Sequence, residues 1–263
     1  MARCSGSRRA GLLALLAVLL LDGPGRAAVP AEAGGTSGLS AEIPVDLELV
    51  LLVDVSGSVD QQEAELQRRG YAEALSSPQV LDAIRSGPLG RIAVTYVEWA
   101  DDSYQTTIID WTLIDGDAAA RAVATRLAEA PISTAFWTAI GPAIDYGAAR
   151  FATNGYEGTR RVIDISGDGY SNRGRPPELA RDAAVAQGIT INGLPILNSR
   201  PNPWGGLPPL DLDSYYRAHV IGGPGAFLLA AEDFSTFGQA ILAKLIKEIA
   251  LAPAGRLPRQ AAR

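Results

Sequence analysis

The sequence predicts an α/β fold: a mostly parallel central sheet, with one antiparallel edge strand, flanked by helices on both faces. Three observations predict it. Short runs of branched and aromatic residues alternate with helical patterns along the chain, as strand–helix repeats do. The run Leu47–Val53 (LELVLLV) is almost wholly apolar, as expected of a strand covered on both faces. Arg91–Trp99 and Thr106–Leu113 are joined by the short polar turn Asp101-Asp102-Ser103, a spacing that suits an antiparallel hairpin at a sheet edge.

The elements follow in order. The chain opens with Arg3, Arg8 and Arg9, an apolar run from Leu12 to Leu21, and small residues around Gly25-Arg26-Ala27. This is the pattern of a cleaved secretory signal (residues 1–28), with an uncleaved anchor as the alternative. The run is too short to span a bilayer comfortably, so no membrane span is expected after cleavage. Cleavage would also remove Cys4, the one cysteine, which suits an oxidising compartment, periplasmic or extracellular. Residues 29–44 read as a linker, and 45–251 as the folded domain. After the strand at Leu47–Val53 comes a helix over Val59–Leu75, then the two hairpin strands. Helices are expected at Ala118–Ala130 and Thr138–Phe151, a strand at Arg161–Ile165, a helix at Pro177–Gln187 and a strand at Ile189–Leu197. A last strand is expected at Ala226–Ala231. The final helix, Glu232–Leu251, carries Phe234, Phe237, Ile241, Leu242, Leu245 and Ile249 as a core-facing stripe. Residues 252–263 read as a disordered tail.

Composition narrows the function. The chain has 263 residues, 47% hydrophobic and 20% charged, as a globular domain should. A net charge of −6 argues against a nucleic-acid surface, which needs a basic patch. One His, His219, and one Cys cannot build a Cys/His zinc site or a disulfide within the chain. Lysine occurs only at Lys244 and Lys247, so a mechanism that needs a lysine inside the core is strained.

In open parallel sheets, ligands bind beyond the carboxyl ends of the strands. Three loops there carry oxygen donors: Asp54-Val55-Ser56-Gly57-Ser58, Trp137-Thr138-Ala139-Ile140-Gly141, and Ser166-Gly167-Asp168-Gly169. Two carboxylates and three hydroxyls form a hard donor set that suits Mg²⁺ or Mn²⁺, with Ca²⁺ as a further candidate. The plainer alternative is that Asp54, Ser56 or Ser58 caps the following helix and Asp168-Gly169 is an ordinary turn.

Asp54, Ser56 and Ser58 in DxSxS spacing, Thr138 followed by Gly141, Ala143 and Ile144, and Asp168 at a later strand end together resemble the von Willebrand factor A (vWA) domain and its metal-ion-dependent adhesion site (MIDAS). The resemblance covers roughly residues 45–251. More narrowly, RRVIDISGDG and YYRAHVIGGPGAF resemble a group of uncharacterised exported bacterial proteins, a domain of unknown function. The resemblance implies a Rossmann-like vWA fold. It implies a divalent metal held by Asp54, Ser56, Ser58, Thr138 and Asp168. It also implies a non-enzymatic role: an acidic group of a protein partner or ligand completes the coordination.

Two other classes stand beside this. Asp54 after a buried strand and the later GDG also resemble the haloacid-dehalogenase phosphohydrolases, which are Mg²⁺-dependent. That resemblance implies a second Asp where Ser56 stands and a lysine before the GDG loop, whereas Lys244 and Lys247 both follow it. A serine hydrolase would have to use His219 and lacks a nucleophile elbow. A structural vWA module without a metal-gated ligand is the third possibility. Asn198–Leu210 is expected on the face of the metal loops, with Trp204 either a partner contact or part of a rigid loop over the core. Trp137 beside Thr138 either packs or shapes the rim, and Asp101 and Asp102 on the same face are either solvated or add negative potential. Asp60 and Glu63 suit the start of the first helix and carry no assigned function.

Overall fold

The computed structural model describes residues 41–201 and 205–250. The expected signal, Cys4, most of the linker, Trp204 and the tail lie outside these residues. The central sheet has the order β4-β3-β2-β6-β7, with β2 Leu47–Asp54, β3 Ile92–Trp99, β4 Gln105–Ile114, β6 Arg161–Gly167 and β7 Ile189–Pro195. All neighbours are parallel except β3 and β4. A separate parallel pair joins β1 Ile43–Val45 to β5 Tyr156–Gly158. Ile43 and Pro44, expected as linker, therefore already belong to a strand.

The alternation of side chains along β2 divides the core in two. Leu47, Leu49, Leu51 and Val53 face one layer, and Val50 and Leu52 face the other. The first layer is closed by Tyr71 and Leu75 of α1 (Gln61–Leu75), Val80 and Ile84 of α2 (Pro78–Arg85), Val123 and Leu127 of α3 (Asp117–Glu129), and Phe237, Ile241 and Leu245 of α7 (Phe237–Ala250). The second is closed by Ile140 and Ile144 of α4 (Ile140–Ala149), Ala180 and Ala184 of α5 (Pro177–Ala186), and Tyr216 and Val220. The last two lie in a π-helical turn, Tyr216–Val220, that follows the short helix α6 (Leu212–Tyr215). Among the described residues, no helix is long and apolar enough to cross a membrane.

Four expectations need correction. Ala226–Ala231 is not a strand: it runs beside β7 with bridges only at Leu228 and Ala231. The final helix begins at Phe237, because Asp233 binds Thr236 N–H and the Ser235 hydroxyl in a turn that precedes it. α2 has no counterpart in the sequence reading, although Ser77 caps it and Pro78 opens it. Lys244 lies wholly inside the core, 2.5 Å from Asp164 and 2.6 Å from Glu248. The i, i+4 spacing of Lys244 and Glu248 reads as a solvated helix pair unless the facing Asp164 is known.

Candidate metal centre

Each donor loop leaves a strand end and is held by backbone bonds. Val55 N–H donates to Trp99 O at 2.9 Å, which continues the β2–β3 ladder into the first loop. Ala135 N–H donates to Val55 O (2.9 Å) and Ala139 N–H to Ala100 O (2.7 Å), so the 135–139 loop is pinned to the ends of β2 and β3. Asn172 clasps Thr138 from both sides: Thr138 N–H donates to Asn172 Oδ1 (2.9 Å) and Asn172 N–H to Thr138 O (2.8 Å). Thr138 thus sits just ahead of α4, not within it.

The five side chains expected from the sequence come together. Thr138 Oγ1 lies 3.3 Å from Ser56 Oγ, which lies 3.2 Å from Ser58 Oγ, and the Ser58 hydroxyl donates to Asp168 Oδ1 at 2.5 Å. Asp54 Oδ1 accepts Ser56 N–H at 2.7 Å. All but the half-buried Ser58 are buried. The helix-cap alternative does not hold for this loop. The cap of α1 is Asp60, which accepts Glu63 N–H (2.8 Å) while Glu63 Oε2 accepts Asp60 N–H (3.0 Å).

The electrostatics are unbalanced. Among the described residues, neither Asp54 nor Asp168 pairs with a Lys, Arg or His. Burial, then the negative charge of Asp168, pushes the Asp54 carboxyl up to about 8. Burial raises Asp168 to about 6, against the lowering effect of the Ser58 hydrogen bond. Asp54 Oδ2 is buried without a hydrogen-bond partner among the described residues. Two carboxylates that lack a positive partner, beside three hydroxyl oxygens, fit a hard divalent cation. Among the described residues, no three His, Cys, Asp or Glu are grouped so that they could hold a metal ion by themselves, so a cation here would need the hydroxyls.

The site opens into a cavity of about 240 Å³ lined by Ser58, Thr138, Asp168, Asn172, Arg200 and Leu207, among others. The 198–209 loop reaches it because Arg200 (2.6 Å) and Asn198 (3.2 Å) both bind Glu63 Oε1. A larger groove of about 650 Å³ between α1 and α3 touches none of the five residues. Trp137 stands half exposed with φ 67°, in the left-handed region, and the Arg173 guanidinium lies 5.3 Å from its ring centroid. Asp102 pairs with the same Arg173 at 3.1 Å, whereas Asp101 binds Ser103 in its own turn. His219 is elsewhere, 3.7 Å from Glu178.

The sequence reading missed Asn172, Glu63 as the anchor of the 198–200 loop, and Tyr216. The Tyr216 ring crosses β7 and β6 at two glycines. A Cβ on Gly193 would lie 2.9 Å from its Cδ1, and one on Gly167 would lie 2.8 Å from its hydroxyl. A signal was present in the sequence: Tyr216 lies in YYRAHVIGGPGAF, one of the two stretches that resemble the exported bacterial family.

Comparison with known proteins supplies a family and a fold. The family model described as "Protein of unknown function (DUF1194)" matches residues 44–253. No curated protein sequence matches significantly. Among solved structures, proximal thread matrix protein 1 from the mussel byssus is similar with a TM-score of 0.58 and 15% identity, covering 80% of this chain and 49% of that one. The form of that protein described as having a zinc-occupied MIDAS motif matches with a TM-score of 0.55 and 14% identity over 80% and 49%. The pilus adhesin SpaC from Lactobacillus rhamnosus GG matches with 0.56 and 14% identity over 79% of this chain and 31% of that one. BatB from Bacteroides thetaiotaomicron matches with 0.52 and 18% identity over 78% and 98%. The chain spans about half the length of the mussel protein. At these identities the likeness shows the fold.

Proposed function

The chain belongs to the DUF1194 family and carries a vWA fold, and from that premise we propose that it is an exported, non-enzymatic binding module. It takes up a divalent cation and, through it, an acidic group of a protein partner or ligand. The observation that carries this reading is the convergence of Ser56, Ser58 and Thr138 hydroxyls with Asp54 and Asp168 from three loops, with no cationic side chain among them. Mg²⁺ or Mn²⁺ suits these oxygens best, Ca²⁺ being the larger alternative; Zn²⁺ more often takes nitrogen and sulfur. The zinc described in the mussel protein supports a cation at this place in the fold.

The division of labour follows from the residues. Ser56, Ser58 and Thr138 offer neutral oxygens, so a cation held by these hydroxyls keeps an unmet positive charge toward the open side. Asp54 and Asp168 supply negative charge from behind the hydroxyls, and Asp54 also orders the loop through Ser56 N–H. When bound, the cation supplies a coordination position that a carboxylate from outside can occupy. The cavity beside Ser58, Thr138 and Asp168 gives that carboxylate a way in. Lys244 is committed to Asp164 and Glu248, which weighs against its use as a phosphohydrolase lysine. The basic and apolar pattern of residues 1–28 supports export to the periplasm or outside the cell.

Co-purification from envelope extract tests this function. Capture of a partner in Mg²⁺ that is lost with EDTA, and lost in Asp54→Ala, is the expected result. Capture that ignores both changes, or Mg²⁺-dependent hydrolysis of p-nitrophenyl phosphate, would overturn it.

A further inference from the structure

The Tyr216 hydroxyl is the second orphan beneath the candidate centre. It is fully buried and has no hydrogen-bond partner among the described residues, as is true of Asp54 Oδ2. One is a donor and the other an acceptor, and they crowd the same face of Gly167: a Cβ there would lie 2.7 Å from Asp54 Oδ2 and 2.8 Å from the Tyr216 oxygen. A side chain at Gly167 would displace both atoms, and one at Gly193 would displace the tyrosine ring. Buried polar groups are rarely left unpaired, and a complementary pair converging on one glycine calls for an explanation.

The backbone is shaped to deliver this tyrosine. Tyr216 opens the π-helical turn, where Ile221 N–H closes a five-residue bond to Tyr216 O at 3.0 Å. Such turns are uncommon and concentrate at functional sites. Neighbouring residues clamp the same segment to the Asp168 loop: Tyr170 donates to Asp211, and Ser171 N–H donates to the Tyr215 hydroxyl at 3.2 Å.

We propose that Tyr216 is a positioning residue for the candidate metal centre: its hydroxyl donates to Asp54 Oδ2 and holds that carboxylate with Oδ1 on Ser56 N–H when a cation is bound. The inference rests on the metal-binding reading above. Burial and the negative charges of Asp54 and Asp168 keep the phenol protonated, so it acts as a donor. Tyr71 provides the contrast: it is equally buried, but its hydroxyl lies 3.3 Å from Ser166 Oγ.

The test is calorimetric titration of the full chain with Mn²⁺, together with melting of the metal-free protein, for the wild type, Tyr216→Phe and Tyr71→Phe. A hydrogen bond to a charged group is at stake, so Tyr216→Phe should bind Mn²⁺ about tenfold more weakly. It should melt no lower than the wild type without metal, since it loses only an unpaired hydroxyl. Tyr71→Phe should bind as the wild type does. Wild-type affinity in Tyr216→Phe, weakening that tracks a lower metal-free melting point, or equal weakening in Tyr71→Phe would each overturn the inference while the metal site stands. A wild type that binds no cation would overturn both.

Discussion

The Ser58 hydroxyl donates a 2.5 Å hydrogen bond to Asp168 Oδ1, although 110 residues separate them in the chain. The bond joins the loop after β2 to the loop after β6. It also completes a line of oxygens from Thr138 through Ser56 and Ser58 to Asp168. Asp54 stands beside that line, tied to it by the Ser56 amide. The energetic consequence is a buried pair of carboxylates that favours protons or a cation.

That competition fixes a pH dependence. Metal-free, the folded protein holds protons on Asp54 up to about 8 and on Asp168 up to about 6. The unfolded chain releases them near the ordinary value of 3.8. Across that window the folded state carries more protons, so stability is highest at the acid end and falls as pH rises toward 8. Asp164, raised to about 7 mainly by burial, adds to the same slope. Melting temperature measured from pH 5 to 8 should therefore fall, and fall less in Asp54→Asn, which leaves the Asp164 contribution in place. Mn²⁺ affinity should rise over the same range, by about tenfold per pH unit for each proton displaced. A pH-independent affinity would contradict the assignment.

Gly141 sets the position of the α4 end next to Thr138. A Cβ there would lie 2.0 Å from Arg175 O, a backbone atom with little room to give. Helix propensity alone favours Gly141→Ala by about 1 kcal/mol. The close approach predicts the opposite sign, a loss of about 1–3 kcal/mol from overpacking. Urea unfolding midpoints decide between them, and a stabilised variant would refute the close packing.

Lys244 neutralises part of a fully buried group made by Asp164 and Glu248, with Asn192 bonded to Glu248 at 3.0 Å. Lys244→Ala leaves two carboxylates facing each other without a cation. The expected cost at pH 7 is about 3–5 kcal/mol in urea unfolding. The cost should shrink at pH 5, where Asp164 retains its proton in the fold. A cost below about 1 kcal/mol at pH 7 would place the pair in the class of surface ion pairs.

Much of this architecture is legible in the sequence because it depends on local pattern. Leu47–Val53 reads as a buried strand from its own residues, and the DxSxS spacing places Asp54, Ser56 and Ser58 on one turn. Thr138 and Asp168 are legible through the family resemblance and their positions beside helix and strand. What escapes the sequence depends on distant partners. Lys244 looks like a surface lysine until Asp164 is set across from it. Tyr216 looks like core until Gly167 and Gly193 are seen to make room for it. The 226–231 segment has the residues of a strand but pairs with β7 only at isolated bridges, so its composition misleads. Glu63 reads as a first-turn helix residue, and only the fold brings Asn198 and Arg200 to it.

The central claim is that Asp54, Ser56, Ser58, Thr138 and Asp168 together hold one divalent cation. Isothermal titration of Mg²⁺ and Mn²⁺ into the full chain tests it most directly, with Asp54→Ala as the comparison. One site in the wild type, absent in a variant that keeps the wild-type circular dichroism, is the predicted result. Equal affinity in the two proteins, or no uptake of either ion by the wild type, would contradict it.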